Sequence, residues 1–196
     1  MTLSRRSELT RAPSSVKIVI SGGFGVGKTT FIGAISEIEP LVTEAAMTEV
    51  SAGVDDATQL PLKSTTTVAL DFGRITLDDS LIMYLFGTPG QERFVFLWDD
   101  LVDGALGAVV LVDTRRIDDC YPVLDYFEEQ GTPFIVAVNH FSRAEQFELD
   151  EVREALGVGE SVPLIGCDAR DRESVKEVLV MVIEQVLMQR LAETVV

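Results

Sequence analysis

Gly22-Gly23-Phe24-Gly25-Val26-Gly27-Lys28-Thr29 decides how this chain is read. It fits the pattern G-x-x-x-x-G-K-[ST] in full, and Thr30 follows it. Just before it, Val16-Lys17-Ile18-Val19-Ile20 is β-branched and reads as a buried strand. Just after it, Phe31, Ile32, Ile35 and Ile38 recur at helical spacing, which predicts a helix that stops before Pro40. A glycine turn between strand and helix lets several backbone N–H groups converge on phosphate oxygens. The helix N-terminus adds partial positive charge. Gly23, Gly25, Val26, Gly27, Lys28, Thr29 and Thr30 are therefore candidate phosphate-binding residues. Lys28 is placed to reach β- and γ-phosphates, and the Thr29 hydroxyl to ligate Mg²⁺. The plain alternative is a glycine-rich turn with an incidental lysine, and the context on both sides argues against it.

Working outward, strand and helix patterns alternate. Thr65 to Leu77 reads as a strand, Asp78-Asp79 as a turn, and Leu81 to Phe86 as the hairpin partner. Residues 105–112, 134–138 and 162–165 are apolar runs of the kind found in central parallel strands. Helical patterns fill roughly 118–129, 145–156 and 172–190. Residues 40–64 are the least regular stretch, and a loop of that length is functional or disordered. The expected fold is α/β: a mostly parallel six-stranded sheet with one antiparallel strand and helices on both faces. Residues 1–15 read as a flexible lead-in, 16–190 as the domain and 191–196 as a tail.

The bulk composition bounds the partners. The chain has 196 residues, 46% hydrophobic and 24% charged, which suits a single globular domain. Its formal net charge is -16, and such a surface repels phosphate backbones and anionic lipid, so no nucleic-acid partner is expected. Cys120 and Cys167 are far apart and suit a reducing compartment. No apolar run approaches transmembrane length, the N-terminus lacks a secretory apolar stretch, and no prenylation cysteine ends the sequence. A cytoplasmic protein with no direct membrane insertion is expected.

The phosphate loop alone does not separate nucleotide-binding classes. Gly87-Thr88-Pro89-Gly90-Gln91-Glu92-Arg93-Phe94 follows the hairpin strand and resembles the switch II segment of small Ras-like GTPases. The resemblance implies a Gly90 amide directed at the γ-phosphate and a Gln91 side chain orienting the attacking water. Thr67-Val68 resembles the opening of the second strand, which makes Thr67 a catalytic and Mg²⁺-binding candidate; Thr66 is the alternative register. Asn139-His140-Phe141-Ser142 stands where the guanine-reading motif N-K-x-D is expected, and Cys167-Asp168-Ala169-Arg170 where S-A-K is expected. Asn139, His140, Ser142, Asp168, Ala169 and Arg170 are the matching base-site residues. The Gly23–Phe31 stretch, Ser36-Glu37-Ile38-Glu39-Pro40-Leu41, Thr65–Gly73, Phe86–Gln91, Val112-Asp113-Thr114-Arg115-Arg116 and Cys167–Arg170 are similar to the small GTPases of bacterial conservon operons. That branch implies a GTP/GDP switch in bacterial signalling that uses Mg²⁺. It also implies a roadblock-type protein and a sensor-kinase-like membrane protein as partners, which could recruit the chain to a membrane.

Two positions depart from the family pattern. The switch II aspartate that holds Mg²⁺ through water falls at Gly87. Asp71, in the neighbouring strand, is a candidate substitute, set against a plain strand-surface carboxylate. The guanine-pairing aspartate falls at Ser142, and losing a bond to a charged group lowers base discrimination by about 1–3 kcal/mol. His140 either stacks on the base edge or lies exposed in its loop. Arg93, Arg115 and Arg116 are candidates for a positive charge at the phosphates or for surface ion pairs. The expected activity is slow hydrolysis of GTP to GDP and phosphate. The alternatives are a nucleotide-binding adaptor with little hydrolysis, and an NTPase of relaxed specificity.

Overall fold

The structure, a computed structural model, describes residues 12–39, 41–48, 65–142 and 145–194, without the side chains of 41–48, 65–69, 92–93 and 193. Seven strands form one sheet: β1 (Ser14–Gly22), β2 (Leu41–Thr48), β3 (Thr65–Asp78), β4 (Leu81–Gly87), β5 (Gly107–Val112), β6 (Phe134–Asn139) and β7 (Leu164–Cys167). Their order is β2-β3-β4-β1-β5-β6-β7. The helices are α1 (Lys28–Ile35), α2 (Trp98–Val102), α3 (Tyr121–Gln130), α4 (Leu149–Leu156) and α5 (Arg172–Thr194), with 3₁₀ turns at Glu92–Leu97 and Thr114–Cys120.

All six expected strands are present, and β3 is the one that runs antiparallel to its neighbours. A seventh, β2, pairs with β3 at the edge from Leu41↔Phe72 to Thr48↔Thr65. It lies in the stretch read as irregular. Leu41-Val42-Thr43-Glu44-Ala45-Ala46-Met47-Thr48 has weak apolar alternation, and pairing with an already formed strand supplies what its side chains do not. Residues 49–64, and 1–11 of the expected lead-in, lie outside the described residues. Strand β1 starts at Ser14, inside that lead-in, and α5 runs to Thr194, through most of the expected tail.

The two faces of the sheet are filled by alternate residues. Ile18, Ile20, Val109, Leu111, Ile135 and Ala137 face one way and meet α1 (Phe31, Ile32) and α5 (Val175, Val178, Val182). Val19, Ala108, Val110, Val112, Val136 and Val138 face the other way and meet α2, α3 and α4 through Trp98, Val123, Phe127 and Val152. Coverage on both sides is why these strands read as unbroken apolar runs. Strand β1 sits between β4 and β5, so the chain leaves its C-terminal end in one direction and returns on the other side. The crevice at such a switch point is where ligands bind in open α/β sheets. Phe31 is fully buried at the centre of the α1 face. Phe31→Ala should lower unfolding stability by about 3–5 kcal/mol in a urea titration.

Candidate functional site

The Gly22–Thr29 loop hangs on β1 and opens α1. Gly25 (φ +73°) and Gly27 (φ +111°) adopt left-handed backbone that side chains rarely reach. Gly27 caps α1 with no side-chain hydrogen bond, and no acidic residue occupies the helix's first turn. The N–H groups at that end are thus left for an external anion.

Lys28 is buried, and its ammonium donates to the Gly22 and Gly23 carbonyls at 2.7 and 2.8 Å. Burial lowers its pKa to about 8, against the opposing charge of Asp71. The Thr29 hydroxyl is exposed and donates to Asp71 Oδ2 at 2.8 Å. Thr30 is also exposed, one step along α1. The Thr29 and Asp71 oxygens are hard donors of the kind Mg²⁺ takes, so these residues fit a cation held together with phosphate. Among the described residues no cluster of three or more His, Cys, Asp or Glu could hold a metal by itself.

The Gly87–Phe94 segment crosses directly over this loop. A Cβ on Gly90 would lie 2.7 Å from Lys28 Nζ and 2.8 Å from Phe24 Cα, so only glycine allows the approach. Gln91 follows, half-buried, and its carbonyl accepts from the Phe94 N–H at 2.9 Å. Two contacts fix the segment's entry. Thr88 shares a buried 2.8 Å hydroxyl bond with Ser21, and its N–H donates to Ile20. Trp98 Nε1 donates to the Pro89 carbonyl at 3.3 Å. Neither Thr88 nor Trp98 was expected at the site, and the single tryptophan of the chain, two turns past a Pro-Gly pair, was the available signal. A cavity of about 190 Å³ lies beneath, lined by Gly23, Gly90, Trp98 and Arg116 among others.

Thr67 and Thr66 lie inside β3, paired with Ala46 and Met47. Their side chains, like that of Arg93, are outside the described residues. Arg115 is an ion-pair former: it grips Asp113 through Nε and NH2 at 2.8 and 2.7 Å, and its guanidinium lies 3.7 Å from the Phe141 ring centre. Arg116 does reach the loop, donating to the Phe24 carbonyl at 3.2 Å while pairing with Asp119. Asp119, a residue not anticipated, closes on Gly23, where an added Cβ would lie 2.7 Å from its own.

On the other side of the loop, buried Asn139 ends β6. Its Nδ2 donates to the Val26 carbonyl at 2.8 Å, and its Oδ1 accepts from the Ala169 N–H at 3.1 Å. Of the expected base-site residues, Asn139 thus joins the phosphate loop to Ala169. His140 is exposed, its ring against Gly166 of β7. Arg170 bridges the rest: it holds Asp168 at 2.8 and 2.7 Å and donates to Ser142 Oγ at 2.8 Å. These bonds hold the Asp168 carboxyl down to about 2. Both cysteines are buried, which pushes their thiols up to about 11, so neither is poised as a nucleophile.

A phosphate loop with a buried lysine inside it, set at the end of a central parallel strand, defines a P-loop protein. The chain belongs to the family described as conserved hypothetical ATP binding proteins, whose model matches residues 20–189. The uncharacterized protein MJ1339 of Methanocaldococcus jannaschii is 28% identical over 126 residues, spanning 63% of this chain and 69% of that protein. The G domain of the T. maritima FeoB iron transporter superposes with a TM-score of 0.61 at 20% identity, covering 88% of this chain and 99% of that domain. The FeoB G-domain from Methanococcus jannaschii gives 0.58 at 16%, covering 88% and 98%. Among the described residues no helix is long and apolar enough to cross a membrane.

The lowered pKa of Lys28 makes nucleotide binding pH-dependent. Phosphate oxygens favour the ammonium, so above pH 8 binding must take up a proton. Calorimetry in buffers of different ionisation enthalpy should show near-zero uptake at pH 6.5 and most of one proton at pH 9. Lys28→Ala should abolish both the uptake and measurable binding. In the free protein the unfolded chain binds the extra proton between pH 8 and 10.5, so this group's contribution to stability rises with pH there.

Proposed function

We propose that the chain is a nucleotide switch that binds a purine nucleoside triphosphate with Mg²⁺ and hydrolyses it slowly to the diphosphate and phosphate. The observation that carries this reading is the contact of Gly90 with Lys28 and Phe24. The segment bearing Gln91 thereby rests on the group expected to meet the γ-phosphate. Occupancy of that position must displace or reorder the segment, which is how order–disorder switches report nucleotide state.

In this mechanism the loop amides and Lys28 hold the β- and γ-phosphates, and the Gly90 N–H donates to the γ-phosphate. Gln91 orients a water whose oxygen attacks the γ-phosphorus while the bond to the β-γ bridging oxygen breaks. Bound Mg²⁺ supplies charge neutralisation on the phosphates, and Thr29 and Thr67 are the residues offered to hold it. Hydrolysis is expected to be slow, as it is for switches without an activator, and Arg115 and Arg116 pair with Asp113 and Asp119 in this structure. Gln91→Leu should cut single-turnover hydrolysis at least tenfold with triphosphate affinity changed less than threefold. Equal rates in the two proteins would remove Gln91 from this role.

For base choice, Asn139, Ala169, Asp168 and Arg170 support a purine site with GTP as its ligand. Ser142 favours a relaxed version of it, because its hydroxyl accepts from Arg170 and brings no charge to the purine N1 and N2 edge. The family's own description speaks of ATP. Competition of GTP, ATP and ITP against one fluorescent nucleotide separates the readings. GTP is expected to win by a modest margin. Ser142→Asp should widen the GTP-over-ATP margin about tenfold or more, the equivalent of about 1–3 kcal/mol for a regained charged bond. A margin unchanged by that substitution would sink the assignment of Ser142. The signalling role, the roadblock-type and sensor-kinase-like partners and a cytoplasmic location with recruitment through them are supported by the motif resemblance alone.

A further inference from the structure

We propose that Asp71 on β3 supplies the carboxylate that orders the Mg²⁺ shell, in place of a carboxylate at the end of β4. This rests on the nucleotide reading above. Three observations carry it. Asp71 pairs with Gly87 across the β3–β4 ladder, so side chains at the two positions leave the sheet on the same face. That face is the one α1 covers: a Cβ on Gly87 would lie 3.3 Å from Ile32 Cδ1. And Asp71 Oδ2 already accepts from the hydroxyl of Thr29, the residue after the loop lysine, at 2.8 Å.

The two carboxylate positions are mutually exclusive. A Cβ on Gly87 would lie 2.9 Å from the Asp71 Cβ and 3.2 Å from its Oδ2, and an aspartate there would set two like charges in one space. Glycine at 87 is what gives Asp71 room to turn toward α1. The bond from Thr29 also has the right direction. With its proton held by Asp71, Oγ1 has its lone pairs available to a cation, and the second Asp71 oxygen can take a proton from a cation-bound water. Carboxylates that position a metal ligand in this way act on affinity for the metal.

The test uses the full chain and a fluorescent guanosine diphosphate, titrated first in EDTA and then with MgCl₂; Mn²⁺ bound to the same complex is followed by electron paramagnetic resonance. In the wild type, Mg²⁺ should tighten nucleotide binding. In Asp71→Asn, which still accepts from Thr29, the Mg²⁺ concentration for half the effect should rise at least tenfold. Its affinity in EDTA should not fall, because the charge it loses repels the phosphates, and the Mn²⁺ spectrum should change. The double variant Asp71→Gly/Gly87→Asp moves the carboxylate to β4 and should restore the wild-type Mg²⁺ midpoint. It also serves where Asp71→Asn fails to fold. A wild-type midpoint in Asp71→Asn, or an equal loss of affinity in EDTA and in Mg²⁺, overturns the proposal while the nucleotide reading stands. Absence of binding by the wild type under both conditions overturns that reading and this inference with it.

Discussion

One buried amide holds the site together. Asn139 sits at the end of β6, almost out of water, and spends both ends of its side chain on backbone: a donor to Val26 in the phosphate loop, an acceptor for Ala169 after β7. A buried amide must find such partners or lose the full desolvation cost of its polar atoms. Satisfying Asn139 therefore registers three separate loops against one another. The loop on β1 cannot shift without breaking the bond to Val26. Gly27 could carry no side chain, because its Cβ would lie 2.6 Å from Asn139 Nδ2.

From that anchor the site divides by chemistry. The α1 side carries charge: the Lys28 ammonium inside the loop, the Asp71 carboxylate beyond Thr29, and the Gly90 crossing that rests on Lys28. The lysine is caught between burial, which favours its neutral form, and Asp71, which favours the ammonium. A phosphate resolves that conflict, so the resting geometry is already directed toward an anion. The β6–β7 side is quieter. There Arg170 binds Asp168 and Ser142 together, and the carboxylate so held is already engaged by a guanidinium.

The two departures from the Ras-like pattern have different consequences. At position 87, Asp71 stands across the strand pair from the glycine, in the space that an aspartate there would need. At position 142 the serine hydroxyl stands where the pattern has a carboxylate. Arg170 donates to that hydroxyl as well as to the Asp168 carboxylate.

Local pattern sufficed for much of this chain. Gly22–Thr29 announced its loop because phosphate binding needs glycine backbone and a lysine at fixed spacing, all within eight residues. Strands β1, β5 and β6 showed through because both faces of the sheet are covered there, which leaves apolar runs, and β3 and β4 through the turn at Asp78-Asp79 between them. Asn139 and Ala169 were legible as motif positions for the same reason. Other features depend on contacts between distant residues. Edge strand β2 exists by pairing with β3, whose partner residues lie from 17 (Thr48↔Thr65) to 31 (Leu41↔Phe72) positions further along the chain. The Ser21–Thr88 bond, the Trp98 clamp on Pro89 and the closure of Asp119 on Gly23 each join segments that only the fold brings together. Asp71 is the clearest case. In sequence it is a candidate substitute for the missing carboxylate set against a plain strand-surface one, and its place beside Thr29 follows from the β3–β4 register that sets it opposite a glycine.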